Sequence, residues 1–75
     1  MAQFTNENLI DFLDKEGYEL NSSICDEKEL AIYDCWHKKN CPKIRVRKKT
    51  IFQISELSQI FTPQMANKFK RYLNK

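Results

Sequence analysis

The chain has 75 residues, of which 41% are hydrophobic and 31% are charged, and its formal net charge is +3. This length favours one compact domain spanning residues 1–75 and excludes a second. One glycine and two prolines argue against a disordered chain, and no apolar run approaches the roughly 18 residues of a membrane span.

The first predicted element is a helix. Thr5 is a suitable N-cap, and Gly17 stands where a glycine closes the last turn of a helix. Leu9, Ile10 and Leu13 have the spacing of one apolar helix face. The segment from Tyr18 to Cys25 fits either a short strand or a turn, so the pattern leaves it open.

Residues 29–54 predict a β-hairpin. Its first strand is expected from Glu29 to Trp36, followed by a polar connection and a second strand that begins at Lys43. Asp34 shares a face with apolar residues, which favours an edge position or a bend in the first strand. Lys48 interrupts the alternation of the second strand, so a separate short strand is expected after it, and two to four strands fit the pattern.

The end of the chain predicts two helices. Ser55 is expected to cap a short lead-in helix that ends at Phe61. Thr62 and Pro63 then form a strong start signal for a longer helix to Leu73. The predicted fold class is therefore α+β, with an N-terminal helix, a small antiparallel sheet built on a hairpin, and a C-terminal helix packed on the sheet.

Basic residues are concentrated in the second half of the chain. Residues 1–37 hold nine acidic and two basic residues, a balance of −7, whereas residues 38–75 hold eleven basic residues and one acidic residue, a balance of +10. Strand periodicity places four cations on one face of the second strand. The expected function is non-enzymatic binding of nucleic acid through its phosphate backbone, by a small regulatory or accessory protein. The expected contact residues are Lys43, Arg45, Arg47, Lys49, Lys68 and Arg71.

Two other interpretations use the same elements. Lysines on a sheet edge also discourage aggregation, so the basic face has an ordinary structural explanation. The acidic residues of the first helix, Glu7, Asp11 and Asp14, would suit an inhibitor of a nucleic-acid-handling protein, of the kind that phages and mobile elements encode. The two C-terminal helices, 55–61 and 64–73, also allow a helix-turn-helix that faces a groove with Gln64, Asn67, Lys68 and Arg71. Lys68, Arg71 and Lys75 form a basic row on the last of these helices. The sequence leaves a homodimer open.

Cysteine and histidine offer two further chemistries. Three cysteines exclude a complete disulfide framework within one chain, so a reduced, cytoplasmic protein without a targeting segment is expected. A zinc site is left open, although no pair of its ligands has the usual C-x2-C spacing. Its ligands would be Cys25, Cys35, His37 and Cys41. A weak nuclease with His37 as general base is a further alternative, but one histidine without a nucleophile predicts no enzyme and no cofactor.

The order helix, hairpin, helix resembles the small ribonuclease toxins of bacterial toxin–antitoxin pairs. The resemblance covers the helix and glycine from Asn8 to Tyr18, the hairpin, and the last helix. Those toxins carry a Gly-Ser-His motif at the start of the second strand of their own fold. The corresponding region of this chain is Asp-Glu-Lys-Glu-Leu at residues 26–30. The resemblance therefore implies a double-stranded-RNA-binding-like fold and an RNA-like partner, without the catalytic histidine.

Overall fold

The computed structural model describes residues 3–74. In chain order its elements are β1 (Gln3–Thr5), α1 (Asn6–Lys15), β2 (Glu19–Leu20), a 3-10 turn (Ser22–Ile24), α2 (Glu27–Leu30), β3 (Tyr33–His37), β4 (Ile44–Arg47), β5 (Ile51–Gln53), a second 3-10 turn (Ile54–Glu56), α3 (Leu57–Ile60) and α4 (Pro63–Leu73). An N-terminal helix, small antiparallel sheets and C-terminal helices packed on strands confirm the predicted α+β class.

Helix α1 begins and ends as the sequence predicts. The hydroxyl oxygen of Thr5 accepts a hydrogen bond from the backbone N–H of Asn8 at 3.2 Å. Gly17 has a φ of +89°, a backbone conformation that strongly favours glycine. The N–H groups of Gly17 and Tyr18 donate to carbonyls of the last turn at 3.1 and 2.9 Å. These two bonds form the Schellman closure that ends the helix.

The chain forms two compact units. We call the first the helical unit; it comprises the residues up to Phe12 and those from Lys49 onward. The second, the hairpin unit, is Leu13–Lys48. The prediction of a single domain for residues 1–75 stays a prediction.

Aromatic packing holds the helical unit together. Strands β1 and β5 pair antiparallel, with Phe4 opposite Phe52 and their rings stacked at 5.3 Å between centroids. Phe69 of α4 packs edge-on against Phe4 at 4.9 Å and against Phe12 at 5.1 Å. Phe61 completes the cluster, 5.8 Å from Phe69. All five phenylalanines of the chain are buried here, so this cluster is the core of the unit.

The C-terminal helices confirm one predicted cap and correct another. The Thr62 hydroxyl accepts from the N–H of Met65 at 3.4 Å, with Pro63 in the first turn, as predicted for α4. The lead-in helix begins before Ser55, which is not its N-cap. The backbone N–H of Gln53 instead donates to the carboxylate of Glu56 at 2.6 Å, because a residue three positions into a helix can reach back to its cap.

The hairpin unit contains a three-stranded antiparallel sheet in the order β2, β3, β4. The predicted first strand, from Glu29 to Trp36, is wrong in its first half, where the chain forms α2. Asp26 caps that helix, its carboxylate accepting from the N–H of Glu29 at 2.8 Å. The strand itself begins at Tyr33 and is central, so Asp34 does not mark a sheet edge.

The second strand of the hairpin ends early, as the interrupted alternation indicates. Strand β4 stops at Arg47, and β5 is a separate strand. The connection between β3 and β4 turns at Asn40, which has a φ of +65°, a conformation that asparagine tolerates better than most residues. The backbone N–H of Cys41 donates across this turn to the carbonyl of Lys38 at 3.1 Å.

Candidate nucleic-acid interface

Strand β4 presents two arginines to solvent. Ile44 and Val46 are buried, while Arg45 and Arg47 are exposed, as strand alternation predicts. Lys43 is also exposed and immediately precedes the strand. We call Lys43, Arg45 and Arg47 the cationic face of the hairpin unit.

One carboxylate, that of Glu29, faces two of these three cations. The Lys43 ammonium lies 3.0 Å from one oxygen of Glu29, and a guanidinium nitrogen of Arg45 lies 2.9 Å from the other. The side chains of Lys43 and Arg45 remain 38% and 54% exposed, so these are solvent-accessible ion pairs. Arg47 has no carboxylate partner among residues 3–74. The cationic face therefore keeps a positive balance of two charges after pairing.

Tyr33 also lies on this surface, although it is not among the contact residues that the sequence predicts. It lies directly opposite Arg47 in the β3–β4 pairing. The guanidinium carbons of Arg45 and Arg47 lie 5.6 and 5.9 Å from the centre of its ring, within cation–π range. The signal for this contact was the turn at Asn40, because a hairpin centred there pairs residue 33 with residue 47.

Contrary to the prediction, Lys49 does not lie on the same strand face as Arg45 and Arg47. The backbone bends at Lys48, and Lys49 belongs to the helical unit. Its ammonium pairs with the carboxylate of Glu56 and lies 5.0 Å from the centre of the Phe52 ring. Only Arg45 and Arg47 of the four predicted cations are within β4. The physical reason is the bend, which ends the period-two geometry that would align Lys49 with them.

The other predicted cations are on α4. Lys68 and Arg71 are both exposed on this helix, away from buried Ala66 and Phe69. Arg71 lies in the last turn, where a cation also interacts favourably with the helix dipole. Lys75, the third member of the predicted basic row, lies outside the described residues.

The acidic residues of the alternative interface all lie on α1. Glu7, Asp11 and Asp14 are exposed. Asp11 also accepts a hydrogen bond from the hydroxyl of Tyr72, and this bond raises the pKa of that phenol above its usual value. Asp11 therefore has a structural partner within the helical unit.

The cysteines are not all reduced. Cys25 and Cys35 form a disulfide with their Cα atoms 6.3 Å apart, and Cys41 is free. An odd number of cysteines leaves one thiol without a disulfide partner, but it does not prevent the other two from forming a disulfide. The expectation of a fully reduced protein is therefore wrong. Within residues 3–74 no three or more histidine, cysteine or acidic side chains are grouped as metal ligands would be. His37 ends β3 and is exposed.

The ion pairs of Glu29 give a direct test of the geometry. Two side-chain hydrogen bonds hold the pKa of the Glu29 carboxyl below its ordinary value of 4.5. The bond from Lys43 has the larger effect, and the bond from Arg45 has the next largest. A carboxyl with a lowered pKa in the folded state stabilises the fold above its ordinary pKa and loses that effect as pH falls through the lowered value. We expect NMR titration to place the Glu29 midpoint below 4.5. Lys43→Ala should move the midpoint upward, and an unchanged midpoint would contradict the shared ion pair.

No helix within residues 3–74 combines the length and the apolar character that crossing a bilayer requires. Comparison of the chain with protein-family models, with curated proteins and with solved structures found no match.

Proposed function

We propose that this protein binds nucleic acid through the sugar–phosphate backbone, using the cationic face of the hairpin unit. The observation that carries the proposal is the outward projection of Arg45 and Arg47 from one strand, beside a single carboxylate. Guanidinium groups donate paired hydrogen bonds that match phosphate oxygens. A strand in a three-stranded sheet holds the two groups on one side at a fixed spacing.

Tyr33 adds a second type of contact. A half-buried aromatic ring flanked by two guanidinium groups offers a surface on which an unpaired base can stack. Stacking of this kind is tolerant of sequence, and so is phosphate binding. The proposed partner is therefore a nucleic acid bound with little sequence preference, which suits an accessory or regulatory role. The helical unit has exposed cations of its own, Lys49, Lys68 and Arg71, which we propose as backbone contacts of that unit by itself.

Filter binding of a labelled oligonucleotide at stepped salt concentrations tests the proposal. If the three cations of the face each neutralise one phosphate, the logarithm of affinity should fall with the logarithm of salt with a slope of about −2 to −3. Affinity should then drop roughly fortyfold between about 50 and 200 mM salt. An affinity that stays flat over this range would exclude backbone binding.

A second candidate function rests on the exposed carboxylates of α1. Glu7 and Asp14 could bind the basic channel of a nucleic-acid-handling protein and so inhibit it, as a phage or mobile-element product would. Changing Glu7 and Asp14 to lysine separates the two functions, since Asp11 is bonded to Tyr72 and is left unaltered. If that variant loses the inhibitory activity while Arg45→Glu and Arg47→Glu leave it unchanged, the result would favour the inhibitor and exclude the nucleic-acid proposal.

A further inference from the structure

A short segment of the hairpin unit lies over β3, beside the cationic face. Cys35 lies opposite Arg45 in the β3–β4 pairing, on the same side of the sheet, yet its exposed fraction is 0%. It is enclosed because residues 22–30, which include the first 3-10 turn and α2, fold over β3. We call residues 22–30 the covering segment.

The covering segment also makes the contacts that occupy Lys43 and Arg45. The Lys43 ammonium donates to the carbonyl of Ile24 at 3.2 Å, and Glu29 provides the carboxylate for both cations. The carboxylate is held in place within the segment, since it also accepts from the N–H of Asp26 at 3.3 Å. The segment thus presents a fixed negative charge where a phosphate would bind.

The disulfide is the covalent attachment of this segment. Cys25 belongs to the covering segment and Cys35 to β3, so the bond ties the segment to the sheet beneath it. The segment is otherwise held by the Glu29 ion pairs and the Lys43–Ile24 hydrogen bond, which are solvent-accessible and contribute little to stability on their own, and by its packing over β3. Breaking the disulfide should therefore let the segment move away from the face.

We propose that the Cys25–Cys35 disulfide is a redox gate, which closes the cationic face when oxidised and opens it when reduced. This inference rests on the proposed function of that face. A dithiol reductant would supply two electrons and two protons, so that the S–S bond breaks into two thiols and the reductant forms its own disulfide. The Glu29 carboxylate then leaves with the segment, and Lys43 and Arg45 become available to phosphates.

The test compares the full chain in its oxidised state and after treatment with dithiothreitol. The slope of about −2 to −3 expected for all three cations should belong to the reduced protein, and the oxidised protein should have a slope shallower by about 1 to 2 because Lys43 and Arg45 are paired with Glu29. We expect reduction to tighten binding of a labelled oligonucleotide roughly three- to tenfold. Cys25→Ser should bind like the reduced protein in both conditions. Cys41→Ser keeps the disulfide and is the matched control, so it should respond to the reductant as the unaltered chain does.

The Glu29→Gln variant tests the effect of the competing carboxylate without breaking the disulfide. It removes the competing charge with little change of shape, so its oxidised form should bind more tightly than the oxidised unaltered chain. Equal, salt-dependent binding by the oxidised and reduced proteins would overturn the gate and leave the proposed function standing. If neither state binds, the proposed function fails, and amide hydrogen exchange decides the gate separately. Exchange within residues 22–30 should accelerate on reduction, and unchanged exchange would overturn the gate.

Discussion

Phe69→Ala is expected to lower the free energy of unfolding by about 3–5 kcal/mol, the largest effect of any single truncation that we predict. The ring of Phe69 is completely buried. It contacts the rings of Phe4, Phe12 and Phe61 at centroid distances of 4.9, 5.1 and 5.8 Å. Its removal therefore leaves a cavity where β1, α1, α4 and the connection between α3 and α4 meet. Since small domains are stable by only about 5–15 kcal/mol, the variant should be near the limit of folding.

Urea denaturation followed by far-UV circular dichroism measures this effect. Ile51→Ala is the matched control, because this residue is also apolar and in the helical unit but is 53% exposed. Its cost should be below about 1 kcal/mol. Phe69→Leu should fall between the two, since it keeps part of the buried volume. Equal losses for Phe69→Ala and Ile51→Ala would contradict an aromatic core centred on residue 69.

Elements whose ends depend on local chemistry could be predicted from the sequence. Thr5, Gly17, Thr62 and Pro63 bound α1 and α4 because caps and stops act on the neighbouring turn of backbone. The alternation in β4 was also predictable, because side chains of a strand alternate faces whatever lies beyond the strand. These predictions needed no knowledge of distant residues.

Helix α2 shows where a local signal was available but was assigned the wrong period. Asp26 and Glu29 have the spacing of a capping box, and in the structure they form one. The predicted first strand, from Glu29 to Trp36, instead takes Leu30 and Ile32 as positions on one face of a strand. Four residues are too few for a helical period to compete with such a pattern. The predicted first strand of the hairpin therefore includes residues that belong to α2 in the structure.

Contacts between distant residues account for the rest of the difference. β1 pairs residues 3–5 with residues 51–53 of β5, far apart along the chain, so no short-range pattern predicts the first sheet. The disulfide likewise depends on how close Cys25 and Cys35 come in the fold, which a count of three cysteines does not reveal. The partners of the basic strand follow the same rule. Glu29 reaches Lys43 and Arg45 only because α2 lies beside β3 and β4.

Reversing both strand arginines, Arg45→Glu with Arg47→Glu, is expected to weaken nucleic-acid binding by roughly a hundredfold at low salt. The change removes two phosphate contacts and places two carboxylates where they would repel the backbone. Both side chains are exposed, so the fold should keep its circular dichroism spectrum, with a modest drop in its midpoint of denaturation because Arg45→Glu removes the ion pair with Glu29. The measurement is filter binding of the same labelled oligonucleotide to the reduced proteins, in which Arg45 is expected to be available.

Single substitutions separate the geometry of the site from its net charge. Lys39→Glu is the control for Arg47→Glu, because it changes the net charge equally at an exposed position in the connection rather than on β4. Arg47→Lys keeps the charge but loses the paired donors and the contact with Tyr33, so it should retain the salt slope and lose part of the affinity. If Lys39→Glu weakens binding as much as Arg47→Glu, net charge alone attracts the nucleic acid. The strand would then have no special role. Direct contacts at β4 require that Arg47→Glu weaken binding more than Lys39→Glu does.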